Sequence, residues 1–221
     1  MHEPFDFAIV GAGIAGASLA AGLAGSARVV LLEAEDRPGY HATGRSAAFW
    51  TESYGGPLIQ PLTTASGPFL HDHGFLGPRG ALTLARGDEV AELEHFAETF
   101  GALGVRIEAL DRAAVAARLP GLQADWIGGA LEPDCSDIDV ARLHQDYLAT
   151  ARKGGAKLWC RAVLTGAEFA GGALLGQAAE GQKKPEDAID QVARQRLSTV
   201  YMPGYKITML PDEVVQAYTL Q

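Results

Sequence analysis

The first thirty-three residues show a regular succession of apolar runs and turns. An apolar run over residues 5–10 is followed at once by a glycine-rich turn, then by an Ala/Leu-rich segment over 17–24, then by the segment 28–33, in which a second apolar run leads to Glu33. A short apolar run bounded by turn residues is typical of a buried strand, and an Ala/Leu-rich segment favours a helix. The pattern therefore predicts strand, helix and strand, the βαβ unit of a parallel sheet.

The later pattern predicts further helices and strands. We expect a polar loop over 36–56, helices over 63–71, 88–103, 111–119 and 137–153, and strands over 81–85, 127–131 and 157–164. The helix over 137–153 has the clearest signal, because its apolar residues recur every three or four positions. Asp88, Asp111 and Asp137 are the expected N-caps of their helices. Near the end of the chain, residues 185–196 form a charged, helix-like segment.

The turn after the first strand has the sequence Gly11-Ala12-Gly13-Ile14-Ala15-Gly16. Gly11 permits a tight turn, Gly13 allows a pyrophosphate to approach the backbone, and Gly16 lets the helix pack closely on the sheet. The helix N-terminus favours an anion. Glu33, at the end of the second strand, is placed to accept both hydroxyls of an adenosine ribose, so the unit predicts a dinucleotide site.

The loop over residues 37–48, Arg-Pro-Gly-Tyr-His-Ala-Thr-Gly-Arg-Ser-Ala-Ala, distinguishes between dinucleotides. An NAD enzyme has no need of such a loop, whereas FAD is long enough for small residues and hydroxyls to hydrogen-bond along its ribityl chain and ring. NADP is disfavoured because Glu33 would repel a 2′-phosphate. FAD is therefore the expected cofactor. Within this loop His41 has two interpretations, a cofactor contact or a histidine satisfied by nearby backbone.

Composition narrows the class of protein. The 221 residues are 48% hydrophobic, enough to bury a core, and the formal charge of -9 with no Lys/Arg cluster argues against a nucleic-acid partner. Cys135 and Cys160 are too few for a disulfide framework, so we expect buried free thiols and a cytoplasmic location, with an oxidised pair as the alternative. We expect neither a signal peptide nor an integral membrane segment.

Two groups of candidate metal ligands have simpler explanations. His71 and His73 lack further ligands nearby and are typical of an exposed turn. Asp134, Asp137 and Asp139 lack the remaining ligands and the glycine of an EF-hand loop. We therefore expect no metal site.

The motifs together resemble the FAD-dependent D-amino acid oxidase superfamily, most closely its bacterial D-arginine dehydrogenase branch. The likeness covers residues 7–33, 38–48 and 129–147, the last containing Leu143-His144-Gln145. It implies an α/β fold with a Rossmann-like FAD-binding domain. The implied contacts to the ADP half of FAD are Gly11, Gly13, Ile14, Ala15, Gly16 and Glu33. The implied contacts to the flavin end are Thr43, Arg45, Ser46, Ala47 and Ala48. Tyr54 would face the substrate pocket, and Val163 would contact the adenine through its backbone.

The resemblance also implies a reaction: oxidation of an amino acid at its α-carbon by hydride transfer to the flavin, giving an imino acid that water hydrolyses. The partner would be a small amine or D-amino acid, with oxygen or a quinone as the electron acceptor. The chain departs from the D-arginine dehydrogenase pattern at two positions. Phe49 replaces a histidine, and Ala81 replaces the carboxylate that would bind a guanidinium, so a neutral or apolar D-amino acid is favoured.

The family pattern cannot be followed beyond Glu168. We expect residues 1–168 to form the FAD-binding domain with the start of a substrate domain, and residues 169–221 to form an unmatched tail. The flavoprotein fold would then be incomplete. Two alternative functions stay open at this point, a truncated or fused FAD-binding remnant without catalysis and an NAD-binding dehydrogenase.

Overall fold

A computed structural model of the chain describes residues 5–170 and 173–180, and describes side chains for residues 5–166. The helices and strands are, in chain order, β1 Phe7–Val10, α1 Ile14–Leu23, β2 Val29–Leu32, β3 Phe49–Trp50, α2 Gln60–Asp72, β4 Leu76–Pro78, β5 Ala81–Arg86, α3 Val90–Ala102, β6 Glu108–Asp111, α4 Arg112–Arg118, β7 Trp126–Glu132, β8 Ser136–Ile138, α5 Val140–Lys153, β9 Lys157–Trp159, β10 Ala162–Ala170 and β11 Ala173–Glu180. Short 3₁₀ helices cover Ala42–Arg45 and Gly87–Glu89.

The chain divides into a compact unit, Met1–Ala178, and a second unit, Ala179–Gln221. All the described helices belong to the first unit. The second unit lies almost wholly outside the described residues, and so does the helix predicted over 185–196.

A three-stranded parallel sheet in the order β1-β2-β9 forms the centre of the first unit. All four residues of β2 are buried, as the middle strand of a parallel sheet requires. On one face, β2 packs through Val29 and Leu31 in a core cluster that includes residues of α1 and α5. Ala17 and Ala20 of α1 are fully buried, and their small side chains let that helix lie close to its neighbours.

Two antiparallel sheets and a further pair of strands lie outside the parallel sheet. One sheet has the order β3-β8-β4 and another the order β5-β7-β6, while β10 pairs with β11. Strand β7 lies between β5 and β6, and the fully buried Val115 of α4 lies against it at Gly129. The strands of the two three-stranded antiparallel sheets all lie, along the chain, between β2 and β9 of the parallel sheet.

The predicted βαβ unit is confirmed, with β1 and β2 parallel from Phe7 opposite Val29 to Val10 opposite Leu32. The predicted N-cap of α4 is also confirmed, because the Asp111 carboxylate accepts from the Ala114 N–H at 2.8 Å. Both motifs are local in sequence, which is why the pattern of the chain reveals them.

Two other predicted N-caps are wrong. Asp137 belongs to β8, where it lies opposite both Phe49 and Gly77, so α5 begins later and its N-cap is Asp139, which accepts from the Arg142 N–H. Asp88 lies in a 3₁₀ turn, and the N-cap of α3 is Glu89. The strand expected over 157–164 is divided into β9 and β10, because Arg161 between them has a φ of 57°.

No helix in the part of the chain that the structure describes has both the length and the apolar character needed to cross a bilayer.

Candidate functional site

Residues 11–16, here called the glycine turn, join β1 to α1 in very little space. Gly11 has a φ of 92° and donates its N–H to the Leu32 carbonyl at 2.7 Å. A Cβ on Gly16 would lie 1.9 Å from the Gly11 carbonyl oxygen, so only glycine fits there. Both glycines are therefore required by the turn itself, whatever it binds.

The start of α1 suits an anion. Its N-cap is Gly13, and no acidic residue lies in its first turn, which includes Ile14 and Ala15. The first N–H groups of a helix have no intrahelical acceptor and lie at the positive end of its dipole. A phosphate oxygen is an acceptor of suitable charge for these groups.

Glu33 follows β2 and has only 8% of its surface exposed. Its Oε2 accepts from the Ala12 N–H at 3.0 Å, and its Oε1 accepts from the Glu35 N–H at 3.0 Å. An ionised carboxylate offers about four acceptor positions. Glu33 therefore fixes the glycine turn and keeps capacity to accept from ligand hydroxyls.

Residues 38–48, here called the small-residue loop, return to the glycine turn. Thr43 is buried, and its Oγ1 accepts from the Ile14 N–H at 2.9 Å. A Cβ on Gly13 would lie 3.0 Å from the same oxygen. The two segments singled out from the sequence, which are some thirty residues apart, therefore meet at one hydroxyl.

The other predicted residues of this loop are more exposed than Thr43. Arg45, Ser46 and Ala47 are exposed, and Ala48 is half-buried. The Ala48 carbonyl accepts from the Ile138 N–H at 2.9 Å. Within the described residues, the partner of His41 is a side chain and not the backbone: its Nε2 lies 2.7 Å from a carboxylate oxygen of Glu35.

A cavity of about 330 Å³ lies beside the small-residue loop, between it and α5. Its lining includes Gly39, Thr43 and Ser46 of the loop, and His144 and Leu148 of the helix. His144 is buried, with its Nε2 2.8 Å from the Ala12 carbonyl oxygen. The helix expected from the sequence thus brings a polar group to the glycine turn.

Tyr54 is the residue predicted to face a substrate, and its side chain is 76% exposed. The segment before it is held by Glu132 of β7, a carboxylate with 3% of its surface exposed. Glu132 accepts from the Thr51 hydroxyl at 2.9 Å, from the Glu52 N–H at 2.7 Å and from the Ser53 hydroxyl at 2.5 Å. Sequence reasoning missed Glu132, because no local pattern connects residues about eighty positions apart.

The two positions that depart from the D-arginine dehydrogenase pattern lie in these antiparallel sheets. The Arg79 guanidinium lies 4.3 Å above the centre of the Phe49 ring and donates to Asp137 at 3.0 Å. Ala81 of β5 lies opposite Glu132. Since the Glu132 carboxylate already binds three donors, it is not a free replacement for the carboxylate that position 81 lacks.

Val163 lies near the other end of the site. It belongs to β10, and the preceding residue, Ala162, donates its N–H to the Glu33 carbonyl at 2.8 Å. Cys160 lies between β9 and β10, where burial, and secondarily the charge of Glu33, raises the pKa of its thiol. Both Cys135 and Cys160 are free thiols.

Comparison with known proteins assigns the chain to a family. The family described as DAO, FAD dependent oxidoreductase, matches residues 6–193, so the chain belongs to this family, whose cofactor is FAD. The finding agrees with the α/β fold and with the cofactor expected from the sequence.

Solved structures of amino acid and glycerophosphate oxidoreductases have the same fold. L-alpha-glycerophosphate oxidase from Mycoplasma pneumoniae, with FAD bound, is 15% identical with a TM-score of 0.73, over 83% of this chain and 52% of that one. Glycine oxidase from Geobacillus kaustophilus is 20% identical with a TM-score of 0.69, over 79% and 51%. L-proline dehydrogenase from P. horikoshii is 19% identical with a TM-score of 0.68, over 79% and 48%. The chain spans about half the length of these proteins.

Proposed function

We propose, from membership of this family, that the chain forms the FAD-binding part of an oxidoreductase that oxidises a small amine or a D-amino acid at its α-carbon. The observation that supports this most directly is the hydrogen bond from the Ile14 N–H to Thr43 Oγ1. It joins a helix N-terminus suited to phosphate to a loop of small and hydroxyl residues, which are the two surfaces that a long flavin dinucleotide needs.

The ADP half of FAD would lie on the glycine turn. Gly11, Gly13, Ile14, Ala15 and Gly16 would surround the pyrophosphate, and the N–H groups at the start of α1 other than that of Ile14, which is bonded to Thr43, would donate to it. Glu33 would accept from the ribose hydroxyls with the lone pairs that Ala12 and Glu35 leave available. Val163 would contact the adenine through its backbone.

The flavin end would lie along the small-residue loop. When bound, FAD supplies the two-electron oxidation chemistry, and the protein supplies position and hydrogen bonds. Thr43 would be the fixed point of this surface, because its side chain is buried and bonded to α1. Arg45, Ser46, Ala47 and Ala48 would extend the surface, and the first three are exposed enough to reach a ligand.

The substrate side is proposed to favour a neutral or apolar D-amino acid. Tyr54 would face the substrate, held in place by the segment that Glu132 fixes. A cationic side chain would find no carboxylate at Ala81, and the nearby Glu132 is buried and already bonded. This preference departs from D-arginine dehydrogenase, although we propose that branch as the most similar one.

We further propose that residues 1–168 form the FAD-binding domain with the start of a substrate domain; the family match itself continues to residue 193. A cytoplasmic location suits the two free thiols, since reducing compartments keep cysteines in that state.

FAD uptake tests this proposal. The purified chain, titrated with FAD, is expected to acquire a visible flavin spectrum at one FAD per chain. Gly13→Leu should abolish uptake, because even the first side-chain atom at position 13 would lie 3.0 Å from Thr43 Oγ1, in the space proposed for the pyrophosphate. Gly22→Ala is the matched control, since no atom lies within 4 Å of a Cβ there. A wild-type chain that takes up no FAD, or a Gly13→Leu variant that binds it normally, would contradict the proposed site.

A second candidate is an FAD-binding remnant without catalysis, since the contacts proposed for FAD do not themselves require a substrate site. Anaerobic addition of D-amino acids to the FAD-loaded chain separates the two candidates. Bleaching of the flavin band by a neutral D-amino acid supports the oxidoreductase. A flavin band that no D-amino acid bleaches supports the remnant. NAD displacing FAD from the same site would support a dehydrogenase of the NAD class instead.

A further inference from the structure

We propose that His144 is a positioning residue for FAD: its imidazole fixes the Ala12–Gly13 peptide so that the Gly13 N–H faces the pyrophosphate. The inference rests on the proposed function and adds a residue of α5 to the site. His144 is 132 positions from Ala12 of the glycine turn, and the local sequence of neither segment predicts the contact.

The direction of the hydrogen bond follows from chemistry. The distance between His144 Nε2 and the Ala12 carbonyl oxygen is 2.8 Å, and a carbonyl oxygen only accepts. His144 must therefore donate, with its proton on Nε2. The imidazole is 6% exposed, and burying a polar ring without such a partner would destabilise the fold.

The effect on the turn follows from the planarity of the peptide bond. In a trans peptide, the C=O of residue 12 and the N–H of residue 13 point in opposite directions. An imidazole that holds the Ala12 carbonyl toward α5 therefore holds the Gly13 N–H away from α5. That N–H belongs to the N-cap of α1, the helix end where an anion is favoured.

Ala12 is held on its other side as well. Its N–H donates to Glu33 Oε2 at 3.0 Å, so one buried carboxylate and one buried imidazole together fix both polar groups of this residue. A turn fixed before the ligand arrives loses less conformational entropy on binding. The two side chains thus prepare the turn for the pyrophosphate.

The ring also touches the small-residue loop. A Cβ on Gly39, where φ is 76°, would lie 2.8 Å from His144 Cε1 and 3.0 Å from Nδ1. His144 therefore lies between both segments proposed to bind FAD, at the wall of the 330 Å³ cavity. A side chain of similar size without a donor would fill this space but would leave the Ala12 carbonyl unpaired.

The test compares three variants of the full chain by FAD titration and thermal unfolding. His144→Leu removes the donor, and we expect the FAD dissociation constant to rise roughly tenfold, as the loss of one such bond implies. His144→Gln keeps an N–H donor at similar reach and should restore most of the affinity. Val115→Ala in α4 is the control for lost core packing, because Val115 is fully buried and lies against Gly129 of β7, outside both segments proposed to bind FAD.

The outcomes separate positioning from packing. If His144 were only a core residue, His144→Leu would behave like Val115→Ala, with a lower Tm and an unchanged FAD dissociation constant for the folded protein. That result would overturn the inference while leaving the proposed function intact. A wild-type chain that binds no FAD would defeat both together.

A second measurement on the unsubstituted chain keeps the inference testable if His144→Leu does not fold. Nitrogen-15 NMR of labelled histidine should show His144 with its proton on Nε2, and adding FAD should shift the Gly13 amide resonance. A proton-free Nε2 at neutral pH, or a Gly13 amide that FAD leaves unmoved, would contradict the role assigned to His144.

Discussion

Two buried carboxylates, Glu33 and Glu132, hold two different parts of the candidate site, and they differ in how many protein donors they bind. Glu33 accepts from the N–H groups of Ala12 and Glu35 beside the parallel sheet. Glu132 accepts from Thr51, Glu52 and Ser53 in the antiparallel region. Each carboxylate fixes a segment of backbone. Glu33 accepts from two protein donors and Glu132 from three, so Glu33 has more acceptor positions left for a ligand.

The surroundings of the two carboxylates reinforce the contrast. Burial, and secondarily the charge of Glu132, raises the pKa of the nearby Cys135 thiol, which is 2% exposed. Glu132 thus belongs to a closed polar cluster beneath the segment that carries Tyr54. Glu33 lies where β2 ends, at the edge of a parallel sheet where such folds bind ligands. Glu33 is the carboxylate proposed to bind a ligand, and Glu132 is the one that holds a loop.

The largest effect is expected at the glycine turn beside Glu33. Gly16→Ala would place a Cβ 1.9 Å from the Gly11 carbonyl oxygen and 3.3 Å from Ile9 Cγ2, in a region where backbone cannot give way cheaply. We expect the free energy of unfolding to fall by more than about 3 kcal/mol, measured by urea denaturation.

Gly22→Ala is the control on the same helix, where a Cβ meets nothing within 4 Å. Alanine should raise the free energy of unfolding there by roughly 0.5–1 kcal/mol, because it is the better helix former. Equal stability of the two variants would show that α1 does not pack on the turn as closely as described.

The next effect is expected at Glu132. Glu132→Leu leaves three donors without their acceptor, so the free energy of unfolding should fall by roughly 2–4 kcal/mol. Glu132→Gln should lose less, because the hydroxyls of Thr51 and Ser53 are able to turn and accept from the new amide. Limited proteolysis near Tyr54 should be fastest in Glu132→Leu, slower in Glu132→Gln and slowest in the unsubstituted chain.

Glu108→Gln is the control for Glu132, since Glu108 lies on the neighbouring strand β6 with its side chain 43% exposed. A change of at most about 0.5 kcal/mol is expected there. A Glu132→Leu chain as stable as this control would remove the contrast between the two carboxylates.

The same contrast explains which parts of the fold were predictable. The βαβ unit is local, because its glycines, its apolar runs and Glu33 all fall within about thirty residues. Their spacing is the one that a dinucleotide-binding unit requires. The hydrogen bond between Glu132 and Glu52 joins residues 80 positions apart, and the one between His144 and Ala12 joins residues 132 positions apart. Contacts between such distant residues leave no local pattern in a single sequence.

The errors in the predicted elements have the same origin. Asp137 has the residue type of an N-cap, but it is drawn into β8 by pairing with β3 and β4. Those strands have two and three residues, too short to show an alternating pattern. Tertiary pairing therefore decided the start of α5, and the true cap, Asp139, is the next acidic residue along the chain.

A moderate effect is expected where the glycine turn and the small-residue loop, the two segments proposed to bind FAD, meet. Thr43→Val keeps the shape of the side chain but removes the acceptor for the Ile14 N–H, so the apo chain should lose about 1 kcal/mol of stability. Thr43→Ser keeps the hydroxyl and should lose less. If Thr43→Val and Thr43→Ser lower the free energy of unfolding equally in urea denaturation, the hydrogen bond to the Thr43 hydroxyl is not what joins the small-residue loop to α1.

The smallest effect is expected at the start of the parallel sheet, far from both carboxylates. Hydrogen bonds from the Arg28 side chain and backbone lower the pKa of Asp6 from 3.8 to about 2, and the pair joins the beginnings of β1 and β2. A carboxyl whose pKa is lowered on folding stabilises the protein above its unfolded pKa and loses that contribution as the pH falls through the folded value. Asp6→Asn should therefore lower Tm slightly at pH 5 to 7, and the difference from wild type should vanish between about pH 4 and pH 2. Asp88→Asn, at an exposed position, corrects for the lost charge. A Tm difference for Asp6→Asn that persists unchanged at pH 2 would mean that the ion pair does not stabilise the sheet.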